Sequence, residues 1–262
     1  MKISKSDYYS CLCDILIFEE KLEEALRIAD EKGLLLYDIM TERFEITSIL
    51  QKELTKYPEI FGEQVAGSAE DPGISKESVH HFSKTVSGKP LVRPGWFFDS
   101  SVEGDGLVDV TTHLVDLIQW TLEPESAINR TDIEMIDARL WPTVLSPDEF
   151  NQVTGLDTLK TNLAVDCNGE MLYTLGGVYA KVKVAWDFKA PQGGGDTHFS
   201  KIRGSKANLI IRQGAEENYV PQLYVELLEA QVGDLKEVVE NSLQTKFSGI
   251  SMVQREGNTY QI

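Results

Sequence analysis

Val178-Tyr-Ala-Lys-Val-Lys-Val-Ala-Trp-Asp-Phe188 alternates along its whole length. Val178, Ala180, Val182, Val184, Trp186 and Phe188 fall on one side, and Tyr179, Lys181, Lys183 and Asp187 on the other. A helix would scatter these apolar residues around its axis, whereas in a strand every second side chain shares a face. The segment predicts a strand with one buried and one polar face, the pattern of an antiparallel sheet.

Working outward, Asn168-Gly169 is a dipeptide favoured in tight hairpins and predicts a turn between two strands, with Gly176-Gly177 as a weaker joint. Further strands are expected near 133–141, 198–203, 207–213 and 219–228, and a last one within 250–262. A helix is expected over 47–61, with Ile46, Leu50, Leu54 and Tyr57 on one face and Gly62 closing it. Another is expected over 234–247, capped by Asp234, with Leu235, Val238, Val239 and Leu243 as its apolar stripe. Nearer the N-terminus, 18–32 puts Phe18, Leu22, Ala25, Leu26 and Ala29 on one helical face. Gly33 follows as a C-cap, and Leu34-Leu-Leu-Tyr37 reads as a buried strand. A helix feeding such a strand is one step of a parallel α/β unit. The expected fold class is therefore α+β: a large, mostly antiparallel open sheet with helices on one face, preceded by a remnant of a Rossmann-type α/β unit. The expected division is 1–45 for the remnant and 46–262 for the main domain.

The 262 residues carry 42 acidic against 25 basic side chains, a net charge of −17. Such a surface repels phosphates, so neither a nucleic acid nor an anionic membrane is an expected partner. No apolar run approaches the roughly 20 residues of a membrane helix. The N-terminal apolar stretch is short, is interrupted by Asp14 and has no cleavage pattern after it, so no signal peptide is expected. Cys11, Cys13 and Cys167 form neither a disulfide framework nor a zinc motif. The expected setting is cytoplasmic, with no metal.

The candidate chemistry lies in Gly106-Leu-Val-Asp-Val-Thr-Thr-His-Leu-Val-Asp-Leu-Ile-Gln-Trp120. In a helix Asp109 and His113, four apart, stack on one face and can converge on one substrate atom. Imidazole is the side chain suited to proton exchange near neutrality, and a carboxylate beside it can orient the ring. The competing reading makes Asp109 a helix cap and His113 a hydrogen-bonded core residue. Gly104-x-Gly106 upstream has the outline of a dinucleotide loop, but the third glycine position is Asp109, which would repel a pyrophosphate. This is not a nucleotide-binding loop.

Trp96-x-x-Asp99, followed by Gly104-x-Gly106-x-x-Asp109-x-x-x-His113-x-x-Asp116, resembles the glucose–fructose oxidoreductase / inositol dehydrogenase (Gfo/Idh/MocA) family. The phrases LLLYDIMTERFEIT (34–47), SVHHFSK (78–84), RPGWFFD (93–99) and GDTHFSKIRGSKANLIIRQG (195–214) are similar to the subgroup with a putative oxidoreductase C-terminal domain. The resemblance implies a substrate-binding and dimerising domain from an enzyme that moves hydride between a nicotinamide and a sugar or polyol. His113 is the implied acid/base and Asp109 its partner. NAD or NADP is implied for the complete enzyme, with none bound by this chain alone. The implied partners are a small carbohydrate or polyol and a second copy of the chain, associating through the sheet.

The pattern departs from the family at Cys13-Asp14-Ile15-Leu16, where Ile15 stands in place of the lysine of an E/D-K-P motif. Isoleucine cannot donate a hydrogen bond. With that departure, and with no phosphate-binding glycines, the chain is expected to be a substrate-side portion, truncated at its end and inactive alone. The alternative is a non-catalytic carbohydrate- or protein-binding module of the same descent. The other candidate substrate contacts are Arg93, Trp96, Asp99, His81, Asp196 and His198. Arg93 offers a planar fork for hydroxyls or a carboxylate, as does Arg43. Asp196 and His198 sit on a glycine loop, and either of His80 and His81 can face a cleft. These two neighbours point to opposite sides of a strand and cannot readily share a metal. Salt bridges and simple turns explain several of these residues equally well.

Overall fold

The computed structural model describes residues 20–35, 40–86, 88–122 and 128–262. The chain forms two compact units, 1–40 and 41–262. In the first, a helix over 20–32 carries an Arg27–Glu31 pair one turn apart and ends at Gly33, whose φ of +62° suits a glycine C-cap. The amide of Leu34 returns to the carbonyl of Ala29, closing the cap. Leu34 and Leu35 are exposed and form no strand, and the rest of the strand expected over 34–37 falls outside the described residues. Cys13–Leu16 falls outside them too.

The second unit is built on a nine-stranded sheet. Its strands are β1 (Ile74–Ser83), β4 (Ile133–Leu145), β5 (Leu163–Leu175), β6 (Val178–Lys189), β7 (Thr197–Arg203), β8 (Ala207–Gln213), β9 (Gln222–Leu227), β10 (Val253–Gln254) and β11 (Thr259–Gln261). The short pair β2 (Thr85–Val86) and β3 (Lys89–Pro90) stands apart. The order across the sheet is β10-β11-β9-β8-β7-β1-β6-β5-β4, and β1–β6 is its one parallel pair. The fold is the α+β class expected.

In β6, Ala180, Val182, Val184 and Trp186 are buried while Lys181 and Lys183 remain on the other face, as the alternation predicts. Four helices accompany the sheet: α1 (Ile46–Leu54), α2 (Ser100–Glu103), α3 (Thr111–Leu122) and α4 (Pro147–Thr154). A fifth, α5, starts at Val232 and continues through a π turn at Val239–Leu243 to Lys246. Asp234 lies in its first turn rather than capping it. Among the described residues no helix is long and apolar enough to cross a membrane.

Two further expectations are corrected. The helix expected over 47–61 stops at Leu54, and turns carry the chain to Phe61. Pro58 has no amide to donate to the Leu54 carbonyl, so the helix cannot continue past it. The Asn168-Gly169 turn does not exist. Both residues lie inside β5, and the β5–β6 turn is Gly176-Gly177. The Asn168 side chain donates to the Trp141 carbonyl (2.9 Å) and Thr143 Oγ1 (2.9 Å) and accepts the Trp186 amide (2.6 Å). It fills a bulge in the β4–β5 ladder between Trp141 and Thr143.

Gly169 is required by close approach. A Cβ there would stand 2.3 Å from the Gly106 carbonyl oxygen, and one on Gly106 would stand 2.2 Å from the Asn168 carbonyl carbon. Gly106→Ala and Gly169→Ala should each lower the unfolding free energy by ~3 kcal/mol or more in urea denaturation, because backbone cannot yield to the added methyl. Gly233→Ala, where nothing lies within 4 Å, should instead stay within ~1 kcal/mol of wild type, on the stabilising side.

Candidate functional site

The site is assembled on β1 and the elements packed over it. Ile74, Lys76, Ser78, His80 and Phe82 share one face of β1 by the strand's period of two, and β7 sets His198 opposite Ser78 and Ser200 opposite Lys76. α3 packs against β1 and β6 on this face. The turn Thr41–Phe44 is tied to α3 by Arg43, whose Nε donates to Asp116 Oδ2 at 2.7 Å while its Nη2 binds the other oxygen. That bidentate pair sets Glu42 beside His113, with Nδ1 2.6 Å from Oε2 but outside hydrogen-bond alignment.

Between these elements lies a cavity of about 200 Å³, lined by Glu42, Ser78, His80, His113, Asp196 and His198 among others. Three of the chain's four histidines therefore face one cleft. His80 Nε2 meets Ser78 Oγ at 2.9 Å, and its ring stacks at a tilt on Trp186, 5.0 Å between centroids. Asp196 gathers three cations or potential cations: His81 Nδ1 at 3.0 Å, His80 Nδ1 at 3.4 Å and the Lys84 ammonium. Although burial works against its charge, these partners hold its carboxyl well below the usual carboxylate range. Burial pushes the His198 imidazole down to about 3, with the charges of Lys76 and His80 adding to the effect, so His198 is neutral.

Asp109 precedes α3, which begins at Thr111. It lies in a turn whose amides return to Asp105, and its own carbonyl accepts the Thr112 amide and hydroxyl. Desolvation raises its carboxyl above the usual range, against the pull of His80, Arg93 and His113.

The remaining candidates are placed elsewhere. Arg93 is buried, with Nε and Nη2 donating to the carbonyls of Phe82 (3.1 Å) and His81 (3.0 Å) and its guanidinium over the rings of Phe97 and Trp186. Asp99 caps α2 through the Ser101 amide and hydroxyl, which lower its pKa. Trp96 is 55% exposed and does not line the cleft. His81 does not line the cleft and meets Asp196 Oδ1 at 3.0 Å. The cleft-facing histidine of the pair is His80, and strand parity with Phe82 was the signal for it. Glu42 and Ser78 had no signal in sequence. Among the described residues no group of His, Cys, Asp and Glu could hold a metal.

Residues 50–262 match the family model described as "Putative oxidoreductase C terminal domain". The chain belongs to that family. It is the subgroup of Gfo/Idh/MocA proteins that the motifs around Asp109 and His113 resemble. A solved "putative oxidoreductase" from Parabacteroides merdae ATCC 43184 is 48% identical with a TM-score of 0.84, over 92% of this chain and 58% of that one. The chain thus spans less than two thirds of that relative's length. A "putative oxidoreductase" from Erwinia carotovora atroseptica SCRI1043 shares the fold at 14% identity and a TM-score of 0.51, over 88% of this chain and 62% of that one. No curated protein matches the chain.

Beneath the cleft Lys76 is fully buried, donating to Ser200 Oγ (2.7 Å) and Gln51 Oε1 (3.4 Å), and burial pushes it down to about 7. The unfolded chain keeps that proton up to about pH 10.4. The fold therefore bears the full desolvation penalty below about pH 7 and sheds it as pH rises from there toward 10. Unfolding free energy measured in urea should climb across this window by up to ~1.4 kcal/mol per pH unit. Lys76→Met should flatten the climb, and an unaltered profile would show that Lys76 is not its source.

Proposed function

We propose that this chain supplies the substrate-binding and proton-exchanging side of an oxidoreductase acting on a small carbohydrate or polyol. The observation that supports it most is His113 facing a cleft shared with His80, His198 and Asp196. A substrate hydroxyl seated against His113 would give its proton to the imidazole; the hydride lost from the same carbon would be accepted by a nicotinamide in the complete enzyme, and the reverse reaction would return both. Glu42 stands where it stabilises the imidazolium that forms. Asp109, four residues before His113, is coupled to the ring by charge without lining the cleft. Ser78, His80 and neutral His198 offer hydrogen-bonding groups to neighbouring hydroxyls.

The Gly104–Gly106 loop supports no dinucleotide site of its own. Gly106 is pressed against the β5 backbone instead of opening a phosphate cradle, and Asp105 and Asp109 flank it with negative charge. On this proposal NAD or NADP is held by a portion of the longer relatives outside the matched region, in a cytoplasmic protein. Association of two copies through the second sheet face, where Lys181, Lys183 and Glu170 stand half-buried, is part of the same proposal.

Titration of the folded chain with glucose or myo-inositol, followed by imidazole NMR, should shift the His113 resonances at millimolar ligand. His113→Gln should weaken that binding at least about tenfold, the cost of losing a hydrogen bond to a polar ligand. NADH fluorescence should stay unchanged. A folded chain whose histidines ignore every polyol would sink the proposal, and micromolar NADH binding would sink its cofactor part.

A further inference from the structure

The charges around the cleft do not balance. Arg43 is engaged by both oxygens of Asp116, and Lys84 by Asp196. Arg93 spends its donors on the carbonyls of β1, and Lys76 is sealed beneath the floor by Ser200 and Gln51. Among the described residues no lysine or arginine lines the cavity, whereas Glu42 and Glu45 do, together with Asp196, whose charge Lys84 already meets. Desolvation raises the Glu45 carboxyl and the neighbouring Glu42 raises it further, so these two carboxylates repel each other at the rim. His198 is neutral, and His113 is already matched by Glu42.

A carboxylate or phosphate entering this space would meet Glu42 and Glu45, and no described lysine or arginine lines it to answer the charge. Hydroxyls would meet Ser78, His80, His113 and His198, all able to exchange hydrogen bonds with them. We infer that this cleft selects an uncharged polyhydroxylated substrate and rejects sugar acids and sugar phosphates. The inference rests on the function proposed above and names the substrate class for that same cleft.

The test is a titration of the whole chain with glucose, glucuronate and glucose 6-phosphate, read at the His113 resonances in low and high salt. The two anions should bind about tenfold or more weaker than glucose at low salt, as expected for like charges a few ångströms apart near a surface. The gap should narrow as salt screens the repulsion, which exclusion by shape would not do. Glu45→Gln should narrow the gap between glucose and glucuronate several-fold, the size of one screened charge contact. Glucuronate or glucose 6-phosphate binding as well as glucose at His113 would overturn the inference and leave the polyol reading standing. A salt-independent gap would also overturn it, pointing to shape rather than charge. Silence with all three sugars would overturn both.

Discussion

The back-to-back contact of Gly106 with Gly169 is the constraint from which the site is built. Two backbones meet where neither can carry a side chain, and Gly106 also donates its amide to the Asp166 carbonyl at 2.9 Å. Its own carbonyl accepts Thr111 Oγ1 at 2.6 Å. The strand, the loop and the first residue of α3 are thus locked together at one point. Because α3 begins there, the position of His113 over β1 is set by the sheet and not by a flexible approach. Asn168 completes the arrangement from the strand side by tying β4, β5 and β6 through one amide side chain.

That contact explains why one strong local signal misled. Asn-Gly is favoured in hairpins because both residues tolerate left-handed backbone. Here the glycine is needed for space and the asparagine for three hydrogen bonds, and neither requirement is visible within a short window. The neighbouring Gly176-Gly177 turn, with φ of 57° and 83°, uses its glycines for conformation. By contrast, the alternation of β6 was legible because a single property, burial of every second residue, governs eleven positions in a row. The stop of α1 was legible too, had Pro58 been weighed against the apolar periodicity.

Among the site residues, legibility tracked chain distance. His113 lies on α3 as the spacing predicts, whereas Asp109 lies in the turn before the helix and does not line the cleft, so the i to i+4 stacking expected of the pair is corrected. Glu42 reaches His113 only because Arg43 grips Asp116, 73 residues away in sequence. Asp196 reaches β1 across a gap of 115 residues to His81. A polar residue's partner at such a distance is set by sheet order, and the order here, with β7 and β6 on either side of β1, is not written in any segment. Arg93 shows the converse. Its residue type invites a role in binding anions, yet its two β-strand carbonyls and surrounding rings make it a structural brace.

Lys76 then gives the cleft its division of labour. A lysine fully buried without a carboxylate costs stability, and the fold tolerates it through Ser200 and Gln51 alone. Any positive charge it retains acts upward on His198, helping to keep that ring neutral. His113 sits at the other wall, with its Nδ1 2.6 Å from Glu42 Oε2. Both imidazoles line a cavity of about 200 Å³, but only His113 stands beside a carboxylate. The two settings differ in kind: His198 is buried, with Lys76 a lesser influence on its charge, while His113 stands against the acidic turn that carries Glu42.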